Sequence, residues 1–279
     1  MKKALMKNAR SFFAAMLFLV TGLAFGQNVV EFEEGWNFKG NSWSQVMQVT
    51  ETFGSFAEGG VQVPGVTAHV VSVWKWDAYS KQWQFYTPRI DPGQLGGYAK
   101  SRGLGVLGQI FPGEAYWVFS KSKTAIVQGG RPADYILYNW NFGMPSGWNM
   151  IASPISATPG DISAMMNTMP PSPSDQWASN SDVSSVVSLW AWDSDKGKWY
   201  FYSPNLDQSS PDYLRNYIYQ KGYLDFESSG KTIEPGDGFW VNIQRTPQVP
   251  TVCADCGKGL SSSAASTGAA TTKANPAGQ

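Results

Sequence analysis

The sequence predicts a mainly β protein with a minor α+β part: two tandem antiparallel β-rich modules, each of about six strands and one short helix. Three observations lead there. Gly (29), Pro (17) and Trp (13) are plentiful while charged residues make up only 15% of the chain, a balance that favours short strands and many turns. A phrase of 22 residues, VVSVWKWDAYSKQWQFYTPRID from Val70 to Asp91, returns as VVSLWAWDSDKGKWYFYSPNLD from Val186 to Asp207 with 11 identical positions and no gap. Three further landmarks recur in the same order: GWN at 35–37 and 147–149, Tyr98 to Gly103 and Tyr217 to Gly222, and IFPGEAYWV at 110–118 against IEPGDGFWV at 233–241. A repeat of about 115 residues is too long for a solenoid unit and suits a small domain.

Taken in order, residues 1–26 read as a secretory signal peptide. Lys2, Lys3, Lys7 and Arg10 precede an apolar run from Phe12 to Leu23, and Ala24-Phe25-Gly26 offers small residues where a signal peptidase cuts. An uncleaved anchor is the competing reading, although the run is short for a membrane span. Cleavage leaves 17 basic against 21 acidic residues, a net charge of −4. That charge, with no basic stripe, argues against a nucleic-acid partner.

Residues 27–131 form the first repeat and 132–246 the second. Each is expected to open with a strand, NVVEF in one and YILYNW in the other, followed by the GWN turn and a short strand. A variable insert comes next. In the second repeat it holds TPGDISAMMNTM, where Asp161 is expected to cap a short helix, and then the loop PPSPSD. VVSVWKW and WQFY alternate as a hairpin around AYSKQ, and their counterparts do so around SDKGK. In the second repeat a helix follows, with Ser210 as N-cap, Pro211 at its first position and Gly222 at its end. Leu214, Tyr217 and Ile218, and in the first repeat Leu95, Tyr98 and Ala99, are expected to face inward. A Pro-Gly turn then feeds the last strand. Residues 247–279 combine a CxxC pair with a Ser/Ala/Thr-rich tail too poor in apolar residues to fold.

The series GWN, VWKWD, W-x-FY, YA-x-S-x-G and PGE-x-x-WV resembles a module of exported proteobacterial proteins whose last strand reads PGEGFWV. The second repeat, with PGDGFWV, fits that strand better than the first, with PGEAYWV. The resemblance covers nearly all of residues 35–245. It implies a secreted or surface module, commonly non-enzymatic, and brings no catalytic residues with it.

Motifs that would carry chemistry lack their context. Gly103–Gly108 matches GxGxxG, but a predicted helix precedes it and a strand follows, the reverse of a dinucleotide site. Asp193-Ser194-Asp195-Lys196-Gly197 starts like a calcium loop, yet the position that needs a bidentate Glu is Pro204. His69 is the only histidine and reads as a strand-edge residue; no G-x-S-x-G elbow accompanies it. Cys253 and Cys256 are disulfide candidates in an oxidising compartment, with redox and metal roles as alternatives. Asp77/Asp193 and Asp91/Asp207 recur as pairs, as turn and cap residues do; a glycosidase would need two carboxyls in one cleft. No metal and no cofactor is expected.

The tryptophans remain. Ser72, Trp74 and Trp76 share one face of their strand, as do Ser188, Trp190 and Trp192, while Val71, Val73 and Lys75 share the other. Such rings serve either as core or as a stacking surface. Trp43 and Trp177 lie in the variable inserts and are expected to make repeat-specific contacts, because loops on a rigid scaffold often carry binding. The ligand-binding candidates are therefore Trp43, Trp177, Trp74, Trp76, Trp190 and Trp192. The expected protein is exported, to the cell surface, the extracellular space or the periplasm, with no membrane span after cleavage. It is expected to be non-catalytic and to bind a glycan or other extracellular polymer. A self-assembling structural subunit of a filament or matrix is the alternative, and a secreted hydrolase the third.

Overall fold

The computed structural model describes residues 28–56, 66–142, 144–168 and 183–246. The first 26 residues, Trp177, Cys253, Cys256 and the tail lie outside them. The first repeat runs β1 (Asn28–Phe32), β2 (Gly35–Gly40), β3 (Met47–Gln48), α1 (Val49–Phe53), α2 (Val66–His69), β4 (Val70–Asp77) and β5 (Gln82–Tyr86). It continues through α3 (Pro92–Ser101), β6 (Gly105–Val106), β7 (Gln109–Ile110), β8 (Ala115–Ser120) and β9 (Thr124–Gln128). The second comprises α4 (Tyr135–Phe142), β10 (Gly147–Ala152), α5 (Pro159–Thr168), β11 (Val183–Asp193) and β12 (Lys198–Tyr202). It ends with α6 (Pro204–Ser209), α7 (Pro211–Lys221), β13 (Leu224–Asp225), α8 (Phe226–Ser229) and β14 (Gly238–Thr246).

Each repeat builds a five-stranded sheet, and the two sheets have one topology. The orders are β2-β8-β4-β5-β6 and β10-β14-β11-β12-β13. All neighbours are antiparallel except the last pair of each sheet, β5/β6 and β12/β13, which is parallel. A parallel pair needs a crossover, and α3 in one repeat and α6–α7 in the other supply it. Even the irregularities match: β4 bulges against β8 between Val70 and Ser72, and β11 against β14 between Val186 and Ser188.

The recurring short motifs have recurring jobs. In GWN, Gly35 and Gly147 take φ of 97° and 100°, which only glycine adopts without strain. Asn37 and Asn149 then tie the turn: the Asn37 amide donates to the carbonyls of Glu33 and Gly35, and the Asn149 amide to those of Pro145 and Gly147. After the hairpins, Thr87 donates to the Val71 carbonyl and Ser203 to that of Val187. Ser210 caps α7 by accepting from the Asp212 N–H, and Gly222 closes it at φ 70°. Leu95, Ala99, Leu214 and Ile218 are buried as expected, Tyr217 only partly, and Tyr98 is exposed on its helix.

Two local expectations are corrected. YILYNW forms helix α4, not a strand. Ala133, Ile136, Leu137 and Trp140 fall at helical spacing, and all four join the second repeat's core. In α5 the N-cap is Thr158; Asp161 lies in the first turn and reaches back, its carboxylate accepting from the Thr158 N–H while Thr158 Oγ1 accepts from the Asp161 N–H. Helices also outnumber the one per repeat that the pattern shows, because α1, α2, α6 and α8 are single turns too short to leave a period.

The hairpin tips predict a pH response. Asp77 Oδ1 accepts from the N–H groups of Tyr79 and Ser80, and Asp193 Oδ1 from that of Lys196. Partial burial alone would raise both carboxyls. Hydrogen bonds from Ser80 and Tyr79 to Asp77, and from Lys196 to Asp193, outweigh it and hold both below the ordinary carboxylate value. A depressed folded value contributes stability that is present above about pH 3.9 and lost as pH falls through the folded value. The double variant Asp77→Asn, Asp193→Asn is expected to lose part of this acid-side slope in urea unfolding measured across that range.

Candidate functional site

Each sheet turns its aliphatic face to its own core and its indole face to the other repeat. The first core gathers Val70, Val73, Tyr116 and Val118 with Phe32, Phe53 and Ile110. The second gathers Val186, Leu189, Val241 and Ile243 with Ile136, Trp140 and Ile162. Between them lies a third cluster, in which Phe38, Ala115 and Met150 pack with Trp76, Trp83, Trp117, Trp192, Trp199 and Trp240.

The contacts across this junction are reciprocal, which is the mark of an approximate two-fold axis. Gly40 N–H donates to the Gly236 carbonyl and Ala152 N–H to the Gly113 carbonyl, both at 2.9 Å. Lys39 bridges to Asp237, and Ile151 to Glu114. The Trp76 indole N–H donates to the Trp148 carbonyl at 3.0 Å, and that of Trp192 to the Trp36 carbonyl at 3.0 Å. Trp83 meets Trp240 edge-on at 5.9 Å, and Trp199 meets Trp117 edge-on at 5.7 Å. Close backbone approach makes this possible: a Cβ on Gly40 would lie 2.4 Å from Ala152 Cβ, and one on Gly238 would lie 2.5 Å from the Lys39 carbonyl oxygen.

The indoles do not fill the junction, and two open grooves remain. One, of about 460 Å³, is lined by Trp76, Trp83, Trp148, Trp190, Trp199, Trp240 and Tyr223. The other, of about 450 Å³, is lined by Trp36, Trp74, Trp83, Trp117, Trp192 and Trp199. The matched positions Trp36/Trp148, Trp74/Trp190, Trp76/Trp192, Trp83/Trp199 and Trp117/Trp240 exchange one groove for the other. Both fall within the size range of small-molecule pockets.

Ring geometry and polarity define what these grooves offer. Trp74 and Trp190 donate their N–H to Ser72 and Ser188. With Trp76 and Trp192 bonded across the junction, four donors are used internally. Among the described residues, the indole N–H groups of Trp36, Trp83, Trp117, Trp148, Trp199 and Trp240 have no protein acceptor. Trp36 and Trp148 are the most open, at 44% and 45% exposure. Neither groove has a charged side chain in its lining. Each therefore presents apolar rings, among which indole N–H groups have no protein acceptor.

The four hairpin candidates Trp74, Trp76, Trp190 and Trp192 all line the grooves; Trp76 and Trp192 also pack the repeats together, while Trp74 and Trp190 pack within their own repeats. Trp43 does not join them. It is 5% exposed, its ring tip lies against Gly236, and it belongs to the first repeat's core, so it has no face left for a ligand. The rings missed by sequence are Trp36 and Trp148 of GWN, Trp83 and Trp199 of the hairpins, Trp117 and Trp240 of the last strands, and Tyr223. The signal available was duplication: all but Tyr223 recur at matched positions.

The other chemical motifs are held by structural partners. Gly103–Gly108 follows α3 and runs into β6, with no helix after it. Asp193 Oδ2 pairs with Lys196 Nζ at 2.9 Å. Asp91 caps α3 by accepting from Gly93 N–H, and Asp207 accepts from the Tyr202 hydroxyl. His69 ends α2 and abuts β4, where its carbonyl accepts from the Lys121 N–H beside β8; its Nδ1 lies 2.6 Å from Ser122 Oγ, and among the described residues no carboxylate bonds to it. Among the described residues, no group of three or more His, Cys, Asp or Glu is placed to hold a metal ion. No helix of those residues is long and apolar enough to cross a membrane.

Buried charges also sit at the junction. Lys75, almost fully buried, pairs with Glu114 at 2.8 Å. Burial lowers the Lys39 ammonium from its ordinary value, partly offset by the Asp237 carboxylate. Compared with known proteins, the chain matches no family model, no curated protein and no solved structure.

Proposed function

We propose that this chain is an exported, non-catalytic binding module whose paired grooves hold a neutral glycan. One observation carries the reading: two dyad-related grooves lined by aromatic rings, with six indole N–H donors left without protein acceptors. A sugar ring offers a C–H face to an indole and hydroxyl or ring oxygens to an N–H. The absence of charged groups from the lining favours an uncharged glycan over an acidic one. The basic-then-apolar N-terminus supports export.

Tryptophan fluorescence titrated with neutral polysaccharides tests this. Binding is expected to shift the emission, and the double variant Trp36→Ala, Trp148→Ala is expected to lose it while still unfolding in one cooperative transition. Those two side chains are the most exposed, and their carbonyls, which accept from Trp192 and Trp76, survive the substitution. A parent chain silent towards every neutral glycan contradicts the proposal. A second reading is favoured by the ring angles. Trp76/Trp83 and Trp192/Trp199 meet at 65° and Trp148/Trp240 at 89°, a box-like arrangement that also suits a quaternary ammonium held by cation–π attraction. Displacement of the glycan by tetramethylammonium, or binding of that cation alone, separates the two.

A further inference from the structure

Trp83 and Trp199 line both grooves. Every other tryptophan of one groove is exchanged by the two-fold for a tryptophan of the other, and Tyr223 alone has no mate. Each groove is also composite. The first takes Trp76 and Trp83 from one repeat and Trp148, Trp190, Trp199 and Trp240 from the other, so neither repeat contains a groove by itself. Two separate ligands would have to divide the same two central rings between them.

We infer that the grooves are two halves of one site, which takes a single extended chain of neutral sugar rings centred on the Trp83/Trp199 pair; the inference rests on the glycan-binding reading above. The unpaired N–H donors are distributed to match. Trp36 and Trp148 stand in opposite halves, Trp83 and Trp199 at the shared centre, and Trp117 and Trp240 one in each half. A polymer whose acceptors repeat along its length meets donors in both halves, whereas a monosaccharide engages one. The two-fold has a second consequence. It presents the same tryptophans to a chain entering from either end, Tyr223 being the one ring without a mate, so the tryptophans do not read the direction of the polymer.

Linking two half-sites through one ligand raises affinity by effective concentration, without any new contact. Isothermal titration with neutral oligosaccharides of graded length tests this. Short oligomers are expected to bind two per protein. Above a spanning length the stoichiometry is expected to fall to one per protein, with an affinity gain of about 100-fold. In Trp36→Ala, or in Trp148→Ala, short oligomers are expected to bind one per protein and the gain with length to disappear. Long oligomers that still bind two per protein, no tighter than short ones, would overturn the single-site inference and leave the glycan reading standing. Failure of every oligomer and polymer to bind would overturn both.

Discussion

Replacing Trp117 by alanine is expected to cost about 2–3 kcal/mol of stability, at or below the low end of the range for a fully buried aromatic side chain, because the ring is partly open to the groove. Trp117 stacks on Phe38 at 4.5 Å and 4°, and meets Trp192 and Trp199 of the other repeat at 5.8 and 5.7 Å. Its loss therefore removes packing within one sheet and across the junction together. Urea unfolding of the variant measures the cost. The two-fold mate, Trp240→Ala, is expected to behave similarly, because Trp240 meets Trp83 and Trp148 at 5.9 and 6.1 Å. Trp117 and Trp199 are in contact, so their double variant is expected to be less destabilised than the sum of the single ones. A loss below about 1 kcal/mol for either single variant would mean that the rings decorate the junction without holding it.

The second large effect is expected at Gly238. A Cβ there would lie 2.5 Å from the Lys39 carbonyl oxygen and 2.9 Å from the carbonyl carbon, both backbone atoms that no rotamer change can move. Gly238→Ala must therefore part β14 of one repeat from β2 of the other, at a cost of about 3 kcal/mol or more. Gly40→Ala meets Ala152 Cβ at 2.4 Å and the Asp237 carbonyl at 2.6 Å, and is expected to act at the same seam. Gly96→Ala provides the control. It lies in α3 with nothing within 4 Å of the new Cβ, and is expected to be neutral or to stabilise by up to about 1 kcal/mol. Thermal unfolding of the three variants ranks them, and equal midpoints would refute a close seam.

Much of this architecture is legible in the residues because local physics writes it there. The alternation of VVSVWKW, the Ser210-Pro211 start and Gly222 stop of α7, and the positive-φ glycine of GWN are short-range signals. The duplicated landmarks foreshadow two sheets of equal order. Helix α4 reads as a strand because aromatic and β-branched residues dominate YILYNW, and their strand preference conceals the helical spacing of Ile136 and Trp140. The site was half legible. Alternation shows that one face of each hairpin carries indoles, but a pattern along one strand cannot say what covers that face; that depends on contacts between residues of different repeats, far apart in the sequence. Trp43 is hidden for a related reason. An unmatched tryptophan in a variable insert suggests a ligand contact, whereas the ring wedges against Gly236 of the other repeat. The informative tryptophans are those that the duplication kept in both copies, because the junction needs each of them twice.

The central claim is that the two repeats dock through their indole faces about an approximate two-fold. Lys39 and Asp237 are bridge partners across that seam, a placement compatible with the Cα separation a disulfide needs. The most direct measurement is therefore the oxidation state and connectivity of Lys39→Cys, Asp237→Cys in a chain whose Cys253 and Cys256 are replaced by serine. The docked arrangement predicts that an intramolecular disulfide forms readily, raises the unfolding midpoint and is absent from each single-cysteine variant. Free thiols, or bridges formed only between chains, would contradict it.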